Sequence, residues 1–353
     1  MDKKIGFCCK WIDTSGIDPR ASRVLTEQMN QKTTTQKHLA SLASVDQFQK
    51  IQKLVTHNIE TLWRQLAWIA AQPAQMRLFR ITSEFLPLYT VPAYKWIYDH
   101  YSTQELIVEG LKGIRKYADQ NGIRLCSHPG QFTNLCSTRK DVVAASIEDL
   151  EYHGYVARCM GYGDTWHSSG FAINIHANVR LDPGLINIRK HIANDVSDTV
   201  RNLITLENDE YSCSVRDFID TGTYQDVAIV LDIHHEWVSS KGKYFSAYTH
   251  EAFAINVSWN GQRPLGHFSM PSPDVIPAAL LNPHMKPDYT TLTAIKGISS
   301  STLRAHSYGM WNEALLEWAC THFEFMDIEV EAKGKNVASR EFYEFAKLHG
   351  YIK

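Results

Sequence analysis

The stretch "FAINIH" (171–176) separates into two faces. Successive side chains of an extended strand point opposite ways, so Phe171, Ile173 and Ile175 share one side and Ala172, Asn174 and His176 the other. One face is apolar throughout; the other is small or polar and ends in histidine. The same division recurs along the chain. In 203–207, Ile204 and Leu206 oppose Leu203, Thr205 and Glu207, and in 228–233, Ile229, Leu231 and Ile233 oppose Ala228, Val230 and Asp232. His128 ends the face that carries Arg124 and Cys126 in "IRLCSH" (123–128). In "FMDIEVE" (325–331), Ile328 and Val330 oppose Asp327, Glu329 and Glu331. A strand with one face against helices and one toward a closed interior has this pattern.

Adding "KIGFCC" (4–9), "MRLFRIT" (76–82) and "LGHFSM" (265–270), and extending two of the segments to "NLITLE" (202–207) and "VAIVLDI" (227–233), gives eight candidate strands. Helix-patterned stretches at 45–72, 104–121, 138–160 and 311–322 lie between them; in the first, Leu54, Ile59, Leu62, Leu66 and Ile69 recur at near-helical spacing. Strands alternating with helices imply a parallel sheet, and eight of them predict one (β/α)8 TIM barrel over residues 1–353. Segments 10–44 and 271–305 lack clean periodicity and are expected to be long loops at the barrel mouth.

At 353 residues, 44% hydrophobic and 21% charged, the chain can bury a large core. A net charge of −2 gives no global signature of nucleic-acid binding, so a DNA partner would need a local basic groove or metal ions. Seven scattered cysteines without a CxxC pair, and no apolar run of membrane-spanning length, lead to the expectation of a soluble, cytoplasmic monomer with free thiols.

The polar strand ends are the candidate site, because barrel enzymes build their sites at the carboxyl ends of the strands. They offer His128, His176, Glu207, Asp232, His267 and Glu331, with His235 just past the sixth strand and His306 in a later loop. Imidazole and carboxylate without thiolate suit zinc, manganese or iron, and eight donors exceed the need of one ion. Two or three divalent ions are expected, with Glu207 able to bridge two. Paired ions activate water and stabilise a leaving oxyanion, which fits metal-assisted hydrolysis of a phosphoester. Parity favours His234 over His235 if the strand continues, and does not separate Glu329 from Glu331. His38, His57, His100, His153, His167, His191, His250, His284, His322 and His349 are read as structural or surface residues.

Five segments carry a likeness: "FRITSEFLP" (79–87), "SHPGQF" (127–132), "LEND" (206–209), "LDIHH" (231–235) and "IEVEAKGK" (328–335). Through them the chain resembles the UV damage endonuclease family of DNA repair enzymes, barrels related to endonuclease IV. The resemblance implies cutting of damaged double-stranded DNA immediately 5′ to a photolesion by a cluster of divalent ions, often manganese, with zinc, magnesium or cobalt as alternatives. It implies His128, His176, Glu207, Asp232, His235, His267, His306 and Glu331 as metal ligands, choosing His235 and Glu331 where parity left a choice. Glu207, Asp232 and Glu331 would be the carboxylates of catalysis. It also implies lesion probing by Gln131 and Phe132, and by Phe7 near the amino terminus, for which simple barrel packing is the competing reading. Arg80 has two readings, a phosphate contact or a partner of a site carboxylate.

Two features depart from the family pattern. "LPLYTVPAY" (86–94) holds no histidine where one commonly follows the second strand, and Leu265 stands where a lysine is usual two residues before the strand-seven histidine. Two other functions remain in view: a xylose-isomerase-like sugar isomerase or epimerase, and a lesion-binding protein that has lost catalysis. Cleavage of abasic sites is a further possible activity.

Overall fold

The computed structural model describes residues 3–16, 18–177 and 184–353. Eight parallel strands close in chain order: β1 Ile5–Cys8, β2 Leu78–Ile81, β3 Arg124–Ser127, β4 Ala172–His176, β5 Ile204–Glu207, β6 Ala228–Asp232, β7 Leu265–Phe268 and β8 Asp327–Val330. The side-chain alternation read from sequence sorts into two layers. Ile173, Ile175, Ile204, Leu206, Ile229, Leu231, Ile328 and Val330 join the layer between sheet and helices, whereas Leu78, Cys126, Ala172, Ala228, Val230 and Leu265 form a separate interior cluster closed by Trp259. The amino-terminal end of the interior is tied by charge: Asp327 accepts from Arg124 Nη1 and Arg263 Nε, each at 2.8 Å. Paired in this way, the buried Asp327 carboxylate is not left without a counter-charge.

The helix Ser44–Ala70 buries Ile51, Leu54, Val55, Ile59, Leu62, Leu66 and Ile69 on one stripe, as its periodicity predicts. The stretch expected as a single helix over 104–121 is two, Tyr101–Leu111 and Ile114–Gln120, because Gly113 between them takes a left-handed φ of 86°. The mouth segments are not plain loops: Pro19–Gln28, Gln36–Ala40, Tyr289–Thr293 and Ser300–Leu303 are short helices, three of them started by Asp or Thr side-chain caps and the last by a Ser299–Thr302 capping box. Residues 202–203, expected in the fifth strand, instead end the helix Asp198–Leu203.

No helix among the described residues is long and apolar enough to cross a membrane. All seven cysteines are free thiols.

Two of the histidines read as structural are buried and neutral. His167 Nδ1 donates to the Phe171 carbonyl at 2.9 Å and its ring lies 4.7 Å from that of Trp259; His322 Nδ1 donates to the Trp318 carbonyl at 3.0 Å. Burial pushes both down to about 4. The unfolded chain protonates them near the ordinary value of about 6.5, so it binds more protons than the folded chain between pH ~4 and ~6.5. Their contribution is complete above that window and is lost as pH falls through it, at up to about 1.4 kcal/mol per pH unit for each. Urea titrations of the metal-free protein across this range should give a slope that His167→Gln and His322→Gln each reduce; an unchanged slope in both variants would contradict the assignment.

Candidate metal centre

Strand register brings the strand-end residues together. His176 pairs with Glu207 across β4 and β5, Asp232 with His267 across β6 and β7, and His267 with Glu329 across β7 and β8. His128 and Glu331 lie one residue beyond β3 and β8, so the inward face continues past the last ladder bonds and carries both to the mouth.

Glu207 is fully buried at the middle of the group. Its Oε2 lies 3.0 Å from His128 Nε2 and 3.9 Å from His176 Nδ1; its Oε1 lies 2.9 Å from His267 Nδ1 and 3.6 Å from His235 Nδ1. Asn174, inward on β4, donates to Oε2 while accepting from Thr205 at 2.8 Å, which fixes the carboxylate plane. The ligand atoms of His128, His176 and Glu207 lie within 4.8 Å of one another, and so do those of Glu207, Asp232, His267 and Glu331. Both sets contain Glu207.

Burial opposes charge on His176, Glu207, Asp232, His235 and His267, and the neighbours decide which of these groups stay charged. Burial alone would raise the Glu207 carboxyl, yet His267 and His176 beside it hold it well below the usual carboxylate range. Burial would lower His235, but Asp232, Glu207 and Glu210 around it lift it to about 10; Glu207 and Glu331 lift His267 to about 9 against the same penalty. Burial pushes His176 down to about 4 and the Asp232 carboxyl up. Among the described residues, the buried Asp232 Oδ2 and His176 Nδ1 have no hydrogen-bond partner. Such atoms are costly to bury unless something else takes them up. Two orphaned donor atoms within a set made only of imidazoles and carboxylates fit divalent ions.

The choice between His234 and His235 has a structural reason. The strand stops at Asp232, whose Oδ1 accepts from the backbone N–H groups of His234 and His235 at 2.7 Å each and so caps the helix Ile233–Ser239. Strand parity ends there. His235 turns toward Glu207, while His234 stacks on Trp237 with ring centroids 5.8 Å apart. His306 lies beside both, 6.2 Å from the His235 ring and 5.8 Å from the His234 ring, held by a bridge between its backbone and Pro271.

Glu329 lies deeper than Glu331 and is enclosed by Cys8 Sγ at 2.8 Å, Cys126 Sγ at 3.0 Å and Arg80 Nε at 2.5 Å. Arg80 also pairs with Glu331 and lies 3.0 Å from His267 Nε2. It is 8% exposed and its guanidinium is paired with Glu329 and Glu331, the arrangement that the carboxylate-partner reading expects.

Phe7 is a correction. It points outward from β1 and is 2% exposed, packed 5.0 Å from Phe79 and 6.0 Å from Trp68 between ring centroids. Parity within "KIGFCC" already puts Gly6 and Cys8 inward and Phe7 out, so it reaches no ligand at the mouth. Gln131 and Phe132 are exposed beyond the turn after β3, Phe132 at 86%. Leu265 is fully buried in the interior apolar cluster, so it adds packing where a polar side chain would add a ligand or charge.

Two contributors, Asn174 and Glu210, escaped the sequence reading as members of the site, and Glu329 entered it only as the alternative to Glu331. Asn174 and Glu329 share the inward faces, and only the fold shows that they grip Glu207 and Arg80. Glu210, in the loop after β5, lies 3.8 Å from His235 Nε2 and gave no periodic signal.

The chain is 28% identical over 187 residues to a UV-damage endonuclease of Neurospora crassa, covering 52% of this chain and only 27% of that protein's own length. It is 23% identical over 347 residues to a UV DNA damage endonuclease of Clostridium perfringens, covering 95% of this chain and 69% of that protein. The crystal structure of SacUVDE matches with a TM-score of 0.73 at 19% identity, over 99% of this chain and 100% of that one, and supports the barrel fold. The model of the UV-endonuclease UvdE family matches residues 4–353, and the chain belongs to that family.

Proposed function

We propose that this protein is a DNA repair endonuclease that cuts the phosphodiester 5′ to UV photolesions in double-stranded DNA, and abasic sites as a further substrate. The observation that carries the reading is Glu207, shared between two sets of imidazole and carboxylate donors at one barrel mouth. His128, His176 and Glu207 would hold one divalent ion, and Glu207, Asp232, His267 and Glu331 a second, with His235 and His306 available to a third. Bound there, manganese or a similar ion supplies an activated water and charge neutralisation at the scissile phosphate.

The remaining work belongs to the chain. Asn174 keeps the Glu207 carboxylate in plane, and the Arg80 guanidinium holds Glu331 against the repulsion of Glu207 and Glu329. Asp232 orients His235 through the helix it caps. Supporting contacts of this kind orient ligands and tune their basicity. The reading includes action as a single-domain monomer in the cytoplasm.

Gln131 and Phe132 probe the duplex. An exposed aromatic that enters a weakened base stack gains about 1–3 kcal/mol per stacked base, and unstacking costs least where damage has already disturbed pairing. Phe132→Ala with Gln131→Ala is therefore expected to lower the preference for damaged over intact duplex by roughly tenfold, the size of a single stacking contact. Bound metal should be unchanged. Paired binding assays on lesion and intact oligonucleotides measure this, and an undiminished preference would reduce that turn to a structural cap on β3.

A further inference from the structure

We propose that Arg304 is a phosphate contact for the DNA backbone, set on the rim beside the candidate metal centre; the proposal rests on the endonuclease reading. Arg304 ends the short helix Ser300–Leu303 in the connection from β7 to β8, two residues before His306. The β7–β8 connection reaches back over the connection after β5, where Arg304 meets Glu210 and Tyr211. A duplex cut at the centre must pass over the rim, and Arg304 stands there beside His306 and Glu210.

The guanidinium is oriented in advance. Its Nη1 donates to Glu210 Oε1 at 2.8 Å, and its Cζ lies 5.2 Å from the centre of the Tyr211 ring. Both partners come from the connection after β5, and the other Glu210 oxygen lies 3.8 Å from His235 Nε2. Arg304 is thus joined to the candidate metal centre through a single carboxylate. Its side chain nevertheless remains 47% exposed, against 13% for Glu210. Among the described residues its hydrogen bonding uses Nη1 alone, which leaves the N–H groups of Nε and Nη2 for a ligand. Two parallel N–H donors of one guanidinium match two oxygens of a phosphate. The pair with Glu210 need not break for this: it removes side-chain freedom before the substrate arrives, which lowers the cost of ordering on binding.

Such a cation would add to the charge that bound divalent ions bring to the centre. Glu207, Asp232, Glu329 and Glu331 line the centre and Arg80 is consumed inside it. With a net charge of −2 over the whole chain, attraction of a polyanion has to come from the metal ions and from individual groups at the rim. The competing role for Arg304 is a tie between the two connections, in which its value lies in the Glu210 pair alone.

Binding of a duplex carrying one UV photoproduct, followed by fluorescence anisotropy between about 50 and 200 mM salt, separates the two roles, because each phosphate contact contributes about 0.9 to the slope of log K against log salt. Arg304→Ala is expected to reduce the slope by about one and to weaken binding about tenfold at the low-salt end. Preference for the lesion and metal content should stay as in the unaltered protein. Arg304→Lys should keep the slope, and so should Glu210→Gln, which breaks the tie but leaves the cation. An unchanged slope in Arg304→Ala, or a Glu210→Gln variant that reproduces its loss, overturns the proposal. If the unaltered protein binds no duplex at all, the endonuclease reading fails first, and the two failures are distinguishable.

Discussion

Glu207→Gln is expected to lower strand cleavage by about 10³-fold or more and to reduce bound metal by at least one equivalent. Glutamine keeps the length of the side chain and can still accept the Asn174 hydrogen bond. It lacks the negative charge and turns one end of the group into a donor. That donor would face His128 Nε2 on one side or His267 Nδ1 on the other, where a carboxylate oxygen now sits at 3.0 and 2.9 Å. Each donor set that shares Glu207 loses its common member at once, so a single substitution should affect both. Nicking assays combined with elemental analysis test this, and thermal melting confirms that the variant is folded. A folded Glu207→Gln protein with full metal content and normal cleavage would remove Glu207 from the centre.

Removal of metal should have a comparably large effect on stability. Without ions, the buried carboxylates Glu207, Glu329 and Glu331 depend on Arg80, on protonated His235 and His267, and on weak thiol donors. An ion held with free metal at about a thousand times its dissociation constant stabilises the folded chain by about 4 kcal/mol. Loss of two such ions should therefore lower Tm by on the order of 10 °C. Dialysis against a chelator followed by melting, then return of manganese, measures the shift and its reversal. A Tm indifferent to both steps would mean that the cluster holds no ion tightly.

The barrel was legible because each strand carries two contrasting faces, and a period of two survives in segments as short as "FAINIH". The same alternation puts His176, Glu207, Asp232 and His267 on inward faces, and strand register brings them together. It failed where the backbone stopped being extended: Asp232 caps a helix, so the strand rule pointed to His234 although His235 faces the centre. An Asp immediately before "IHHEW" is a readable capping signal that could have corrected this. Phe7 failed differently, because a role carried from the family overrode a parity that already turned the ring outward. The grip of Asn174 on Glu207 and the enclosure of Glu329 by Cys8, Cys126 and Arg80 join residues up to 321 positions apart, between Cys8 and Glu329, and no local pattern encodes such pairings. Glu210 and Arg304 lie in irregular connections, where position depends on side-chain ties between loops.

The most direct test is strand cleavage by the purified protein on one set of end-labelled duplex oligonucleotides, intact, carrying a single UV photoproduct, or carrying an abasic site, with manganese, magnesium and zinc supplied in turn. The account predicts a metal-dependent nick immediately 5′ to the photoproduct and little cutting of intact duplex. Metal-loaded protein that leaves the photoproduct strand uncut, or cuts intact and damaged duplexes alike, would contradict it.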